Sequence, residues 1–180
     1  PLSFPVAEPY NTFLVTFVDL DNDGWQDLFF STYGGTNYWL TNDHGKLDAT
    51  KLRKIANPNT SLTMAAGFAD LNKNGYPDIM LGNWTAGAEN QFATLYSRNV
   101  WWINNGGDFN VYDDDAVNGE TLSVLLSDFN NNGRTDMVIA NDGAAPDLHY
   151  FDKPDGGFER ILPSQGIIPG TSLTTMSVDS

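Results

Sequence analysis

Three short stretches of the chain repeat one arrangement of oxygen-bearing side chains. They run Asp19-Leu20-Asp21-Asn22-Asp23-Gly24-Trp25-Gln26-Asp27, then Asp70-Leu71-Asn72-Lys73-Asn74-Gly75-Tyr76-Pro77-Asp78, then Asp128-Phe129-Asn130-Asn131-Asn132-Gly133-Arg134-Thr135-Asp136. Side-chain oxygens at the first, third and fifth positions can curl around one ion if the backbone turns sharply, and glycine at the sixth permits that turn. The seventh position offers a backbone carbonyl, and the aspartate at the ninth closes the shell. The expected ligands are thus Asp19, Asp21, Asp23, Trp25 and Asp27 in the first loop. Asp70, Asn72, Asn74, Tyr76 and Asp78 serve the second, and Asp128, Asn130, Asn132, Arg134 and Asp136 the third.

An all-oxygen cage with several carboxylates suits Ca²⁺, which takes about 6–8 oxygen ligands in loose geometry, whereas Mg²⁺ prefers a tighter octahedron and retained water. Transition metals favour histidine or cysteine, and the loops hold neither. Asp, Asn and Gly also dominate ordinary turns, which would explain one such loop but not three in register. An EF-hand needs a glutamate at the twelfth position, where this chain has Phe30, Leu81 and Ile139. The expectation is three calcium ions, one per loop. The first loop carries four carboxylates and the others two each, so the first should bind tightest. Three ions would take the net charge from −14 to −8.

The elements around the loops repeat as well. Asp19, Asp70 and Asp128 stand 51 and then 58 residues apart, a period in or slightly above the range of propeller blades and other stacked repeats. An apolar run precedes each loop (Phe13 to Val18, Leu62 to Ala69, Leu122 to Leu126) and another follows it, at Leu28-Phe29-Phe30, Ile79-Met80-Leu81 and Met137-Val138-Ile139. Such runs lack polar alternation, so both faces of each strand are expected to be covered. A third strand is expected at Tyr38-Trp39-Leu40, Val100 to Ile103 and Leu148 to Phe151. Turn residues then follow at Asn42 to Gly45, Asn104 to Gly107 and Pro154 to Gly157, each leading into a short fourth strand. No stretch shows helical periodicity. Tandem four-stranded units that need cover on every face read as an all-β propeller of antiparallel blades. The blades fall at residues 13–50, 62–115 and 122–161. Thr175-Met176-Ser177-Val178 resembles the strand around Leu122-Ser123-Val124, so 173–180 reads as the start of a further blade. A closed propeller needs about 4–8 blades, and the chain starts at Pro1 without a methionine or a signal-type segment. It is expected to be a window on something longer.

Composition narrows the partners. Of 180 residues, 41 % are hydrophobic and 13 % aromatic, enough for a core. With 23 acidic residues against 9 basic ones, nucleic acid is a poor partner. No apolar run reaches the length of a membrane-spanning helix. The absence of cysteine removes disulfides and thiol chemistry. His44 in a turn and His149 in a strand read as surface or packing residues, and no nucleophile elbow appears, so no catalytic residue is assigned. Trp101 and Trp102 are adjacent and must point to opposite faces of a strand; with Trp39 they read as core. Trp84 differs, because it sits in the longest insertion, Gly82 to Asn99. Long loops on rigid scaffolds often carry function, and Trp84, Tyr96 and Arg98 form a candidate ligand patch opposite the acidic loops. Asp113-Asp114-Asp115 reads as a solvated loop, and Asn59-Thr60-Ser61 and Asn83-Trp84-Thr85 match glycosylation sequons.

The loops and blades together resemble the FG-GAP or VCBS repeat family, which includes the integrin α head. The resemblance runs from about Phe13 to Ile161. Gly143-Ala144-Ala145-Pro146 is similar to the family's Gly-Ala-Pro element, and Gly67-Phe68 keeps little of its Phe-Gly element. The pattern is nearest the divergent bacterial-type repeats. The resemblance implies a seven-bladed propeller, calcium between the first two strands of a blade, and an extracellular, cell-surface or periplasmic location. The expected role is a non-enzymatic module binding protein or carbohydrate, or docking other subunits, with structural calcium. The alternative is an accessory domain of an extracellular polysaccharide hydrolase or lyase.

Overall fold

A computed structural model describes residues 12–32, 36–56, 62–84, 98–113, 120–142, 146–154, 157–168 and 175. Residues 85–97 with Tyr96, the Asn59 sequon, Asp114, Asp115, Gly143 to Ala145 and all of 173–180 except Thr175 lie outside these residues.

Twelve strands form three four-stranded antiparallel sheets, each pairing in chain order. The first contains β1 (Thr12–Val18), β2 (Asp27–Thr32), β3 (Thr36–Asp43) and β4 (Lys46–Ala56). The second contains β5 (Leu62–Ala69), β6 (Asp78–Trp84), β7 (Val100–Asn104) and β8 (Phe109–Asp113). The third contains β9 (Glu120–Ser127), β10 (Asp136–Asp142), β11 (Leu148–Asp152) and β12 (Phe158–Ile161). One 3₁₀ turn, Pro163–Gln165, is the only helical element among the described residues. The third-strand expectations match β3, β7 and β11, and the turns ending at Gly45 and Gly107 lead into β4 and β8 as expected. Part of the third turn, residues 155–156, lies outside the described residues, and β4 is longer than the short strand expected.

The sheets stack through their side chains. Phe29 and Trp39 of the first meet Ile79, Leu81, Val100 and Trp102 of the second. From the other face of the second sheet, Met80 and Trp101 meet Met137, Ile139, Leu148 and Tyr150 of the third. Adjacent Trp101 and Trp102 thus serve two different cores, as strand alternation requires. Each fully buried side chain of this size contributes about 1.5–3 kcal/mol. The first strands lie next to one another, β1 against β5 and β5 against β9. The expectation of cover on both faces fails at one place. Phe13, Val15 and Phe17 of β1, the edge strand of the first sheet, are each more than half exposed, although Phe30 and Tyr38 across from Val15 in β2 and β3 are buried.

Each first strand carries a bulge at the same register. Thr12, Thr63 and Thr121 pair with Thr32, Asn83 and Asn141 just before the shift. Two of these threonines are buried connectors. The Thr63 hydroxyl donates to Asn83 Oδ1 (2.9 Å), and that of Thr121 reaches both Asn141 Oδ1 (2.7 Å) and Asn99 Oδ1 of the preceding sheet (3.0 Å). Thr175 repeats the contact on the third sheet, its hydroxyl 2.7 Å from Asp147 Oδ2. Close approach at this seam depends on Gly82, where an added Cβ would stand 2.5 Å from Thr121 Cγ2. Gly82→Ala is expected to cost about 1–3 kcal/mol by overpacking, read by urea denaturation. Adding Thr121→Ser, which removes that methyl and keeps the hydroxyl, should recover part of the loss.

Candidate metal centres

The three acidic loops are built alike. Each joins the first strand of a sheet to the second, and each reverses through one left-handed residue and one glycine. Asn22, Lys73 and Asn131 at the fourth position have φ of 54°, 59° and 57°, and Gly24, Gly75 and Gly133 at the sixth have 90°, 94° and 78°. Glycine adopts such angles freely, and asparagine more readily than most residues.

The leading aspartate grips this turn with both oxygens. Asp19 accepts from the N–H groups of Asp23 (3.0 Å) and Gly24 (2.9 Å). Asp70 does the same with Asn74 and Gly75, and Asp128 with Asn132 and Gly133. The fifth-position oxygen accepts from the seventh-position N–H in every loop, at 2.8–2.9 Å. The closing aspartates are wholly buried and tie the loop to the end of the third strand. Asp27 accepts from Leu20 N–H (3.0 Å) and Asn42 N–H (2.7 Å). Asp78 accepts from Leu71 (2.8 Å) and Asn104 (2.7 Å), and Asp136 from Phe129 (3.0 Å) and Asp152 (2.9 Å). All fifteen sequence-derived ligand positions therefore fall on three equivalent turns.

The first loop is electrostatically distinct. Carboxylate oxygens of Asp19, Asp21 and Asp27 lie within 4.8 Å of one another, the one such acidic group among the described residues. Burial pushes the Asp21 carboxyl above its ordinary range, helped by the charges of Asp27, Asp23 and Asp19. Burial also raises Asp27 and Asp78, against the N–H groups that hold them. Asp21 Oδ1 is buried with no hydrogen-bond partner. A lone buried carboxylate oxygen beside two further carboxylates is costly, and a hard cation satisfies all three at once. The residues present fit calcium.

Residues 19–81 match the FG-GAP-like repeat family. The match begins on the first residue of the first loop and ends in β6, so it contains two of the three loops. The FG-GAP resemblance read from the sequence holds over this stretch. Integrin alpha-6 of Gallus gallus is 33 % identical over 79 residues, which cover 38 % of this chain and 7 % of that protein. The chain thus spans a small part of the integrin it resembles.

Other candidates separate. Trp84 and Arg98, both half-buried, stand at the end of the second sheet away from its acidic loop, where Asn83 Nδ2 donates to the Arg98 carbonyl at 2.7 Å. Tyr96 lies outside the described residues. His44 is exposed and paired with Asp43 at 2.8 Å. His149 is half-buried, and burial lowers its pKa. Sequence reasoning missed Asn104, whose Nδ2 donates to the Leu20 carbonyl of the first loop at 2.6 Å. Its place in an Asn-Asn-Gly-Gly turn gave only a turn signal.

Proposed function

We propose that this chain is part of a calcium-binding β-propeller of an extracellular or cell-surface protein. Its ions are structural, and its surface serves protein or carbohydrate recognition rather than a reaction of its own. The observation that carries the reading is Asp21 Oδ1, buried and unpartnered at a predicted ligand position between Asp19 and Asp27. Three stacked sheets with neighbouring first strands support the propeller, and the FG-GAP-like match supports the extracellular setting. Calcium would be held by the carboxylates and amide oxygens of each loop, with the seventh-position carbonyl. It would neutralise carboxylates that otherwise repel. External millimolar calcium suits sites of about 10⁻⁴–10⁻³ M.

Calorimetric titration with calcium and with magnesium tests this. Calcium should bind in at least two affinity classes, and Asp21→Ala or Asp23→Ala should abolish the tighter. Asn130→Ala and Asn132→Ala should affect only a weaker one. Equal binding of magnesium, or equal losses from all four variants, would defeat the proposal.

A further inference from the structure

A cleft of about 620 Å³ opens between the second and third sheets beside their acidic loops. That volume is within the range of small-ligand sites, about 300–1,000 Å³. Lys73, Arg134 and Lys153 line it together with Asp152, Trp101 and Phe158. A chain with 9 basic residues and net charge −14 thus places three of its cations around one apolar-walled space.

Two of these cations depart from the repeat. The fourth loop position holds Asn22 and Asn131 elsewhere but Lys73 here, in a left-handed conformation (φ 59°). That conformation costs a long side chain of order 1 kcal/mol, which asparagine partly avoids. The seventh holds Trp25 and Tyr76 in the other loops but Arg134 in the third. Both exchanges turn a neutral position into a cation, and both face the same cleft from opposite loops. Lys73 Nζ donates to the neutral Gly133 carbonyl at 3.0 Å and makes no ion pair among the described residues. Arg134 is paired with Asp152. Lys153 has no ion-pair partner among the described residues. Among the lining residues three cations thus stand against one carboxylate, Asp152. Trp101 and Phe158 meet edge to face at 5.3 Å on the apolar side, and the Trp101 indole N–H is buried without an acceptor.

We infer that this cleft binds an acidic saccharide unit, its carboxylate drawn to Lys73 and Lys153 and its ring lying against Trp101 and Phe158. Aromatic walls favour a ring-bearing ligand over an extended acidic peptide, whose body offers no apolar face. The inference needs no ion in the loops. Uronate binding that survives a failed calcium titration would leave it standing alone.

The test is calorimetry on the full chain at low salt, with digalacturonate, neutral cellobiose and a short oligo-aspartate as probes. Digalacturonate should bind, more weakly as salt rises, and cellobiose should not. Lys73→Asn restores the residue used by the other two loops and should fold normally. Combined with Lys153→Ala, it should weaken digalacturonate binding roughly threefold to tenfold with an unchanged melting temperature. No binding of digalacturonate, equal binding of cellobiose, binding of the peptide alone, or a double variant that binds like wild type would each overturn the inference.

Discussion

Asp78→Ala is expected to destabilise the protein by about 2–5 kcal/mol, measured by urea denaturation in chelator. The carboxylate is wholly buried and accepts two backbone N–H groups, from Leu71 in its own loop and from Asn104 at the end of β7. Deleting it strands both donors, each at about 1–3 kcal/mol. The damage should spread, because Asn104 also donates to the Leu20 carbonyl of the neighbouring loop. Asp23 provides the contrast. It is exposed and, among the described residues, accepts only the Trp25 N–H, so Asp23→Ala should change stability little in chelator and lose calcium stabilisation instead. A small effect of Asp78→Ala would mean that the loop's hold on the third strand is redundant.

Calcium should reverse the pH dependence of stability. Without it, Asp21, Asp27, Asp78 and Glu120 have carboxyls raised by burial. A raised folded-state pKa means that the folded chain binds more protons than the unfolded one between the two values. Their contribution is therefore fully present below the ordinary carboxylate range and lost as pH rises through the raised values. Asp43 and Asp48 shift the other way, by hydrogen bonds from His44 and Thr50, but both are surface groups and weigh less. His149, whose pKa burial lowers, works against the raised carboxyls as pH falls below the ordinary histidine range. The four carboxyls outnumber it, so the melting temperature in chelator should on balance rise as pH falls toward the ordinary carboxylate range. Saturating calcium requires the ligands deprotonated. At about one hundred times its dissociation constant, an ion adds about 2.7 kcal/mol per site, or roughly 5–10 °C here. The gain should shrink on acidification, so the two melting curves converge at low pH. Parallel curves would remove the buried carboxylates from the calcium sites.

The loops and the sheet order were legible in the sequence because both depend on neighbours along the chain. Gly24, Gly75 and Gly133 mark the turns, and the Trp101-Trp102 pair announces a strand covered on both sides. What escaped depends on distant partners. Thr63 and Thr121 read as unremarkable strand residues, yet their hydroxyls anchor the bulges, and that of Thr121 also joins two sheets. Gly82 gave no turn signal, since its role is to admit Thr121. Lys73 looked like variation at a loop position without a role, and Arg134 like variation at one whose carbonyl was already assigned. Only the stacking of the sheets brings them to one cleft. Phe13, Val15 and Phe17 looked buried because hydrophobicity reports what a strand prefers, not where in its sheet it lies, and β1 is an edge strand.

Every strand in these sheets pairs with its immediate predecessor or successor in the chain. A ribosome would therefore release each sheet as a unit able to close on itself before the next one emerges, at modest loop-closure cost. Association between sheets would follow in the order of synthesis, each newcomer laying its first strand beside the last. At every stage the most recent sheet would present one bare apolar face to the cytosol or translocon. The hazard of premature association would then persist until the next sheet arrives to cover that face.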